Sequence, residues 1–185
     1  MIETLFINAC ARKNSRTLEL AKHILDKLPS KVEEINLYNL NLSPVDEDII
    51  NLRDKAAKSK NFSNEIFNLA KQFASAGTIV VAAPYWDLSF PSVVKSYFEA
   101  VTVNGVTFTY GENGIPKGLC KAKSLIYVTT AGGPIIHNMG YEYVSTIAKA
   151  FYGIKEVKCI SAQGLDIHGA NAEEILNEAK KAVEL

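Results

Sequence analysis

Four stretches of the chain are short, apolar and closed by polar residues or glycine: 4–8 (TLFIN), 78–83 (TIVVAA), 124–130 (SLIYVTT) and 156–164 (EVKCISAQG). Compact apolar or β-branched runs of this kind predict buried strands. A fifth, 31–37 (KVEEINL), predicts a strand of alternating character. Between them the period lengthens to that of helices. The stretch 15–28 (SRTLELAKHILDKL) places Leu18, Ala21, Leu25 and Leu28 on one face, behind Ser15 as a plausible N-cap. Residues 47–76 read as two helices with a break near Asn61. Residues 91–101 open with Pro91 in a first helical turn. Helical patterns over 140–153 and 171–185 complete the set. Strands alternating with helices predict an α/β fold with a parallel sheet. Five such units in 185 residues predict one domain, 1–185, doubly wound in the strand order 2-1-3-4-5. No repeat, low-complexity tract or linker interrupts it.

In open α/β sheets, ligands bind beyond the C-terminal ends of the strands, where the strand order reverses. Here that directs attention to the loops after Asn8, Ala83 and Thr130. The first, NACARKNSRT (8–17), holds no glycine, which excludes the glycine-rich dinucleotide and phosphate loops. It does bring Ser15, Arg16 and Thr17 to a helix N-terminus with Arg12 nearby, which suits an anion. Ser15 as a simple helix cap is the alternative. The second, PYWDLSFP (84–91), carries Tyr85, the sole tryptophan Trp86, Asp87 and Leu88. Its aromatic side chains suit a planar ring, and equally a core or a subunit interface. The third, TTAGGP (129–134), has Gly132 and Gly133, which permit either a close ligand approach or an ordinary turn. Together the three loops describe flavin mononucleotide (FMN) lying across the top of the sheet. One would hold the phosphate, one the flat ring and one its far edge.

Charge and cysteine content narrow the classes. Twenty basic and 20 acidic residues balance, which argues against a nucleic-acid surface and, less strongly, against a carrier that docks by charge. Three widely spaced cysteines, Cys10, Cys120 and Cys159, suggest neither a disulfide framework nor a zinc site, and fit a reducing cytosol. The N-terminal residues lack a signal-peptide pattern, and no run of 18 apolar residues predicts a membrane span. His23, His137 and His168 are scattered and make no metal site.

KNSRT, AAPYWDLSFPSVVKSYFEAV, NGVTFTYGENG and TTAGG resemble the FMN-dependent NAD(P)H:quinone reductases and azoreductases of the flavodoxin-like fold, over nearly the whole chain. The resemblance implies two-electron reduction of quinones or azo compounds by NADH or NADPH, in a cytoplasmic homodimer whose flavin sites lie near the subunit interface. By position, Ser15, Arg16 and Thr17 would meet the FMN phosphate. Tyr85, Trp86, Asp87 and Leu88 would run along the isoalloxazine, and Thr130, Ala131, Gly132 and Gly133 would contact its other side. Cys10 falls where members often carry a polar residue. Members commonly have Asn in place of Asp87. An ionised Asp accepts hydrogen bonds but cannot donate them, so Asp87 is expected to lie near the ring and lower its reduction potential. The stretch between Gly133 and Gly140, where members build part of the substrate pocket, is compact. His137 is a candidate partner for a quinone oxygen, with a solvent role as the alternative. NGVTFTYGENG reads as a hairpin whose Phe108 and Tyr110 either line a partner's pocket or pack in place. Donor and acceptor are expected to visit one flavin face in turn. A flavodoxin-like electron carrier without its own substrate is the alternative reading. A phospho-acceptor module would need acidic residues where Asn8, Ala9 and Cys10 stand.

Overall fold

The computed structural model describes residues 2–184. Its strands are β1 (Ile2–Asn8), β2 (Val32–Asn36), β3 (Ala76–Ala82), β4 (Phe108–Tyr110), β5 (Pro116–Gly118), β6 (Ser124–Thr130) and β7 (Glu156–Ala162). Five of them form a parallel sheet in the order β2-β1-β3-β6-β7. This is the expected 2-1-3-4-5 order, with the small antiparallel β4–β5 hairpin inserted between the third and fourth sheet strands.

Alternation along the central strands divides the core into two layers. Leu5, Ile7, Ile79, Val81, Leu125 and Tyr127 face one layer, and Phe6, Val80, Ala82, Ile126 and Val128 face the other. The first layer is covered by α3 (Asn68–Ser75), α4 (Ser92–Val101) and α5 (Met139–Ile147), and the second by α1 (Arg16–Leu25) and α6 (Ala172–Lys181). β1, β3 and β6 are therefore buried on both faces, which is why they read as unbroken apolar runs.

The remaining differences have local causes. The first helix ends at Leu25 rather than 28, and Leu28 packs from the turn that follows. The 47–76 stretch becomes α2 (Glu47–Ser59), a 3-10 turn (Glu65–Phe67) and α3. Lys60 stops α2 in the left-handed region, and Ala76 already belongs to β3. The expected 140–153 helix is α5 followed by a π-helical turn (Ala148–Tyr152), closed by Gly153 at φ 77°. The hairpin pairs Phe108 with Gly118, so its return strand lies beyond the NGVTFTYGENG motif. Phe108 is buried against Phe151 at 5.0 Å, whereas Tyr110 is half-exposed. Among the described residues no helix is long and apolar enough to cross a membrane.

Candidate active site

β1 ends on Asn8, whose side chain shapes the first loop. Its Oδ1 accepts the Cys10 N–H at 2.9 Å and its Nδ2 donates to Glu34 at 2.8 Å. The chain is thus turned away from the sheet before α1 begins. Ser15 caps α1, accepting the Leu18 N–H at 3.3 Å. That bond leaves the amides of Arg16 and Thr17 at the helix start with no intrahelical partner. Capping and anion binding are therefore compatible uses of this segment. The Thr17 hydroxyl points downward and meets the Thr130 hydroxyl at 2.7 Å, both buried. A neutral hydrogen bond of this kind contributes about 0.5–1.5 kcal/mol; here it also ties α1 to the end of β6. Cys10 is 5% exposed beneath the loop. Burial pushes its thiol up to about 11, so it stands at neutral pH as an uncharged packing group.

The loop after β3 is a tight reversal. Trp86 and Ser89 exchange both backbone hydrogen bonds, at 3.1 and 2.8 Å, around Asp87 at φ 50° and Leu88 at φ 66°. Positive φ at both central residues is the signature of a two-residue turn that usually carries Asn and Gly. Asp tolerates this region; Leu does so at a cost of about 1–2 kcal/mol. The turn is held from the side. Tyr85 N–H donates to Thr130 O at 3.0 Å, the Tyr85 hydroxyl to His137 O at 3.0 Å, and Met139 N–H to Leu88 O at 3.0 Å.

The loop after β6 is stitched to the loop after β7. Leu165 N–H donates to Ala131 O, Asp166 N–H to Gly132 O and Gly164 N–H to Gly133 O, at 3.2, 2.8 and 3.0 Å. Asp166 then reaches across to Arg16 at 2.7 Å. Between these loops lies a cleft of about 400 Å³ bordered by Arg12, Arg16, Tyr85, Trp86, Gly132 and Asp166. Cofactor sites span about 300–1,000 Å³.

A family model described as the flavodoxin-like fold matches residues 3–185. The FMN-dependent NADH:quinone oxidoreductase of Coprothermobacter proteolyticus is 32% identical, across 100% of this chain and 97% of its own length. A protein of the same name from Clostridium perfringens is 33% identical, across 100% and 98%. The chain belongs to this family. Among solved structures, an azoreductase from Bacillus anthracis matches with a TM-score of 0.83 at 26% identity, over 98% of this chain and 96% of that one.

Of the residues singled out for this family's cofactor, the cleft brings together Ser15, Arg16 and Thr17 with Tyr85 and Trp86, and with Thr130, Ala131 and Gly132. Asp87, Leu88 and Gly133 stand outside its lining. Asp87 is exposed at the tip of the turn at φ 50°, a conformation that Asp tolerates. His137 presents its carbonyl to Tyr85, while its ring pairs with Glu142 at 3.3 Å. His168 is exposed, and His23 joins α1 to Lys180 O of α6 at 3.1 Å. Leu165 and Asp166 also border the cleft, and nothing in the sequence singles them out. No local signal places Asp166 beside a residue 150 positions away.

Proposed function

We propose that the chain transfers two electrons from NADH to quinones or azo compounds through FMN held in this cleft. The observation that carries the assignment is one cleft with two chemically different ends. At one end, the start of α1 offers unpaired amides beside two guanidinium groups, the donor set for a phosphate. At the other, Trp86 is 43% exposed next to Tyr85 and the Ala131–Gly132 backbone, a surface suited to a planar ring. FMN when bound supplies the redox chemistry. The protein's part is to position it and to shape its surroundings. The amides of Asp87 and Leu88 lie outside the Trp86–Ser89 pairing and are available to the polar edge of the ring. The Thr17–Thr130 bond fixes the spacing between the phosphate end and the ring end. No acid or nucleophile is required of the protein for hydride transfer.

The same reading makes the protein a cytoplasmic homodimer. Trp86, Leu88, Ile136 and Met139 are 43, 43, 82 and 49% exposed on the two loops that Met139 and Tyr85 join. A second subunit covering that apolar rim would close the ring end of the cleft. The three cysteines are free thiols, in keeping with a reducing compartment. Donor and acceptor use the one open side of the ring in turn, so the oxidised nicotinamide leaves before the acceptor enters. Initial rates over varied NADH and quinone test this. Parallel double-reciprocal lines are expected, with FMN released from the denatured protein. Intersecting lines would indicate two separate sites, and absence of NADH–quinone turnover would favour an electron carrier. Light scattering is expected to report a dimer; a fully active monomer would contradict the shared site.

A further inference from the structure

Arg16 at the start of α1 and Asp166 in the loop after β7 face each other across the α1 end of the cleft. Arg16 Nη1 alone makes the contact, donating to Asp166 Oδ1 at 2.7 Å and to Leu165 O at 3.3 Å. A guanidinium carries five N–H donors in a rigid fork, so three, on Nη2 and Nε, take no part in this contact. The carboxylate is itself held in place. The Asp166 N–H is bonded to Gly132 O at 2.8 Å. Its side chain fills the space above Gly132, where a Cβ would come within 2.4 Å of Oδ2.

As a stabilising ion pair the contact is weak, because the side chains are 42% and 68% exposed and water screens them. Its position matters more. We propose that Asp166 is a positioning residue for the FMN phosphate: it holds Arg16 by one nitrogen and leaves the other donors for an anion in the cleft. The proposal rests on the reading of the cleft as the FMN site. Two effects of Asp166 oppose each other. Its charge repels a phosphate, and its grip spares Arg16 the loss of rotamer freedom that binding otherwise imposes. The repulsion acts through water at an open rim, where the high dielectric weakens it even at short range. Ordering of the arginine therefore prevails.

The test compares FMN and riboflavin, which lacks the phosphate, by fluorescence titration of the flavin-free full chain. Arg16→Ala is expected to weaken FMN by about 10-fold or more, as for loss of a charged hydrogen bond. Asp166→Ala is expected to weaken FMN by about 3- to 10-fold, as for one unordered side chain. Asp166→Asn, which keeps an acceptor oxygen, is expected to restore most of that loss. Riboflavin affinity is expected to stay the same in all three. With Arg16→Ala already present, Asp166→Ala is expected to add no further loss. Tighter or unchanged FMN binding in Asp166→Ala, an equal loss for riboflavin, or additive losses in the double variant would each overturn the proposal. Wild-type protein that binds FMN no better than riboflavin, or neither, would overturn the phosphate-site reading itself. A normal FMN preference that ignores Asp166 would sink the proposal alone.

Discussion

The turn after β3 contains no glycine and the loop after β6 contains two, yet the left-handed backbone lies in the first. Asp87 and Leu88 have φ of 50° and 66°, whereas Gly132 and Gly133 are absent from the positive-φ residues. The two loops border the same cleft and use their residues for different ends. In the β3 turn, a strained reversal is held by neighbours, through Met139 N–H on Leu88 O and the Tyr85 hydroxyl on His137 O. In the β6 loop neither glycine is left-handed, and glycine at 132 gives room to the Asp166 carboxylate, which occupies the place of a side chain. Glycine thus marks close approach here, and strain is marked by no glycine at all. Local strain of this kind persists only where surrounding structure over-determines it.

The sharpest way to break the contrast is at the junction of the two loops. A Cβ on Gly140 would lie 2.7 Å from the Tyr127 hydroxyl, 3.0 Å from Phe90 Cδ1 and 3.2 Å from the Ser89 carbonyl carbon. Gly140→Ala is expected to cost about 1–3 kcal/mol, the usual range for overpacking, and to weaken flavin binding by shifting both loops. Urea denaturation measures the first effect; an unchanged midpoint would mean that the junction gives way easily.

Leu88→Gly tests the strain from the opposite direction. Removing Cβ recovers about 1–2 kcal/mol of left-handed strain, against about 0.5–1 kcal/mol of added chain entropy. The net expectation is a stabilisation of a few tenths to about 1 kcal/mol. A clear destabilisation would show that the packing of the Leu88 side chain outweighs the strain.

Gly132→Ala is expected to have a smaller effect on stability, below about 1 kcal/mol, because the nearest atom in the way ends an exposed side chain that can rotate, and Asp166 Cβ, at 3.2 Å, need give by only a few tenths of an ångström. Its consequence is local: Asp166 must release Arg16, and FMN affinity should fall as it does in Asp166→Ala. Retained affinity would show that the carboxylate has a second place to stand. Gly133→Ala is the control. Nothing lies within 4 Å of a Cβ there and the backbone is not left-handed. It is expected to change stability by less than about 1 kcal/mol, in the stabilising direction. Asp87→Asn is expected to have the smallest effect of all. The side chain is exposed, so equal redox potentials at neutral pH are predicted, and a rise would place the carboxylate near the ring.

What could be read from the chain follows the same division. The sheet strands were legible because apolar runs such as TIVVAA must be buried on both faces, which places them at the centre of the sheet, and alternation with helices gives the doubly wound order. Once the order is known, the loops after Asn8, Ala83 and Thr130 must meet. The β5 strand was not legible, since PKG has no strand pattern and forms only by pairing with Phe108–Tyr110. The strained turn was hidden because Asp-Leu is an unusual pair for such a reversal, imposed by its surroundings. Asp166 was hidden because an exposed acid in a turn looks like any solvated residue until the fold brings Arg16 to it.

The central claim is that one FMN lies across the loops after β1, β3 and β6, with phosphate at α1 and ring at the Trp86 turn. Backbone amide NMR shifts on titrating the flavin-free protein test it most directly. With FMN, the amides of residues 14–17, 85–88 and 131–133 are expected to move together and stop at one equivalent. With riboflavin, the last two groups should move while 14–17 stay near their free positions. Shifts confined to other surfaces, or identical patterns for the two flavins at 14–17, would contradict this placement.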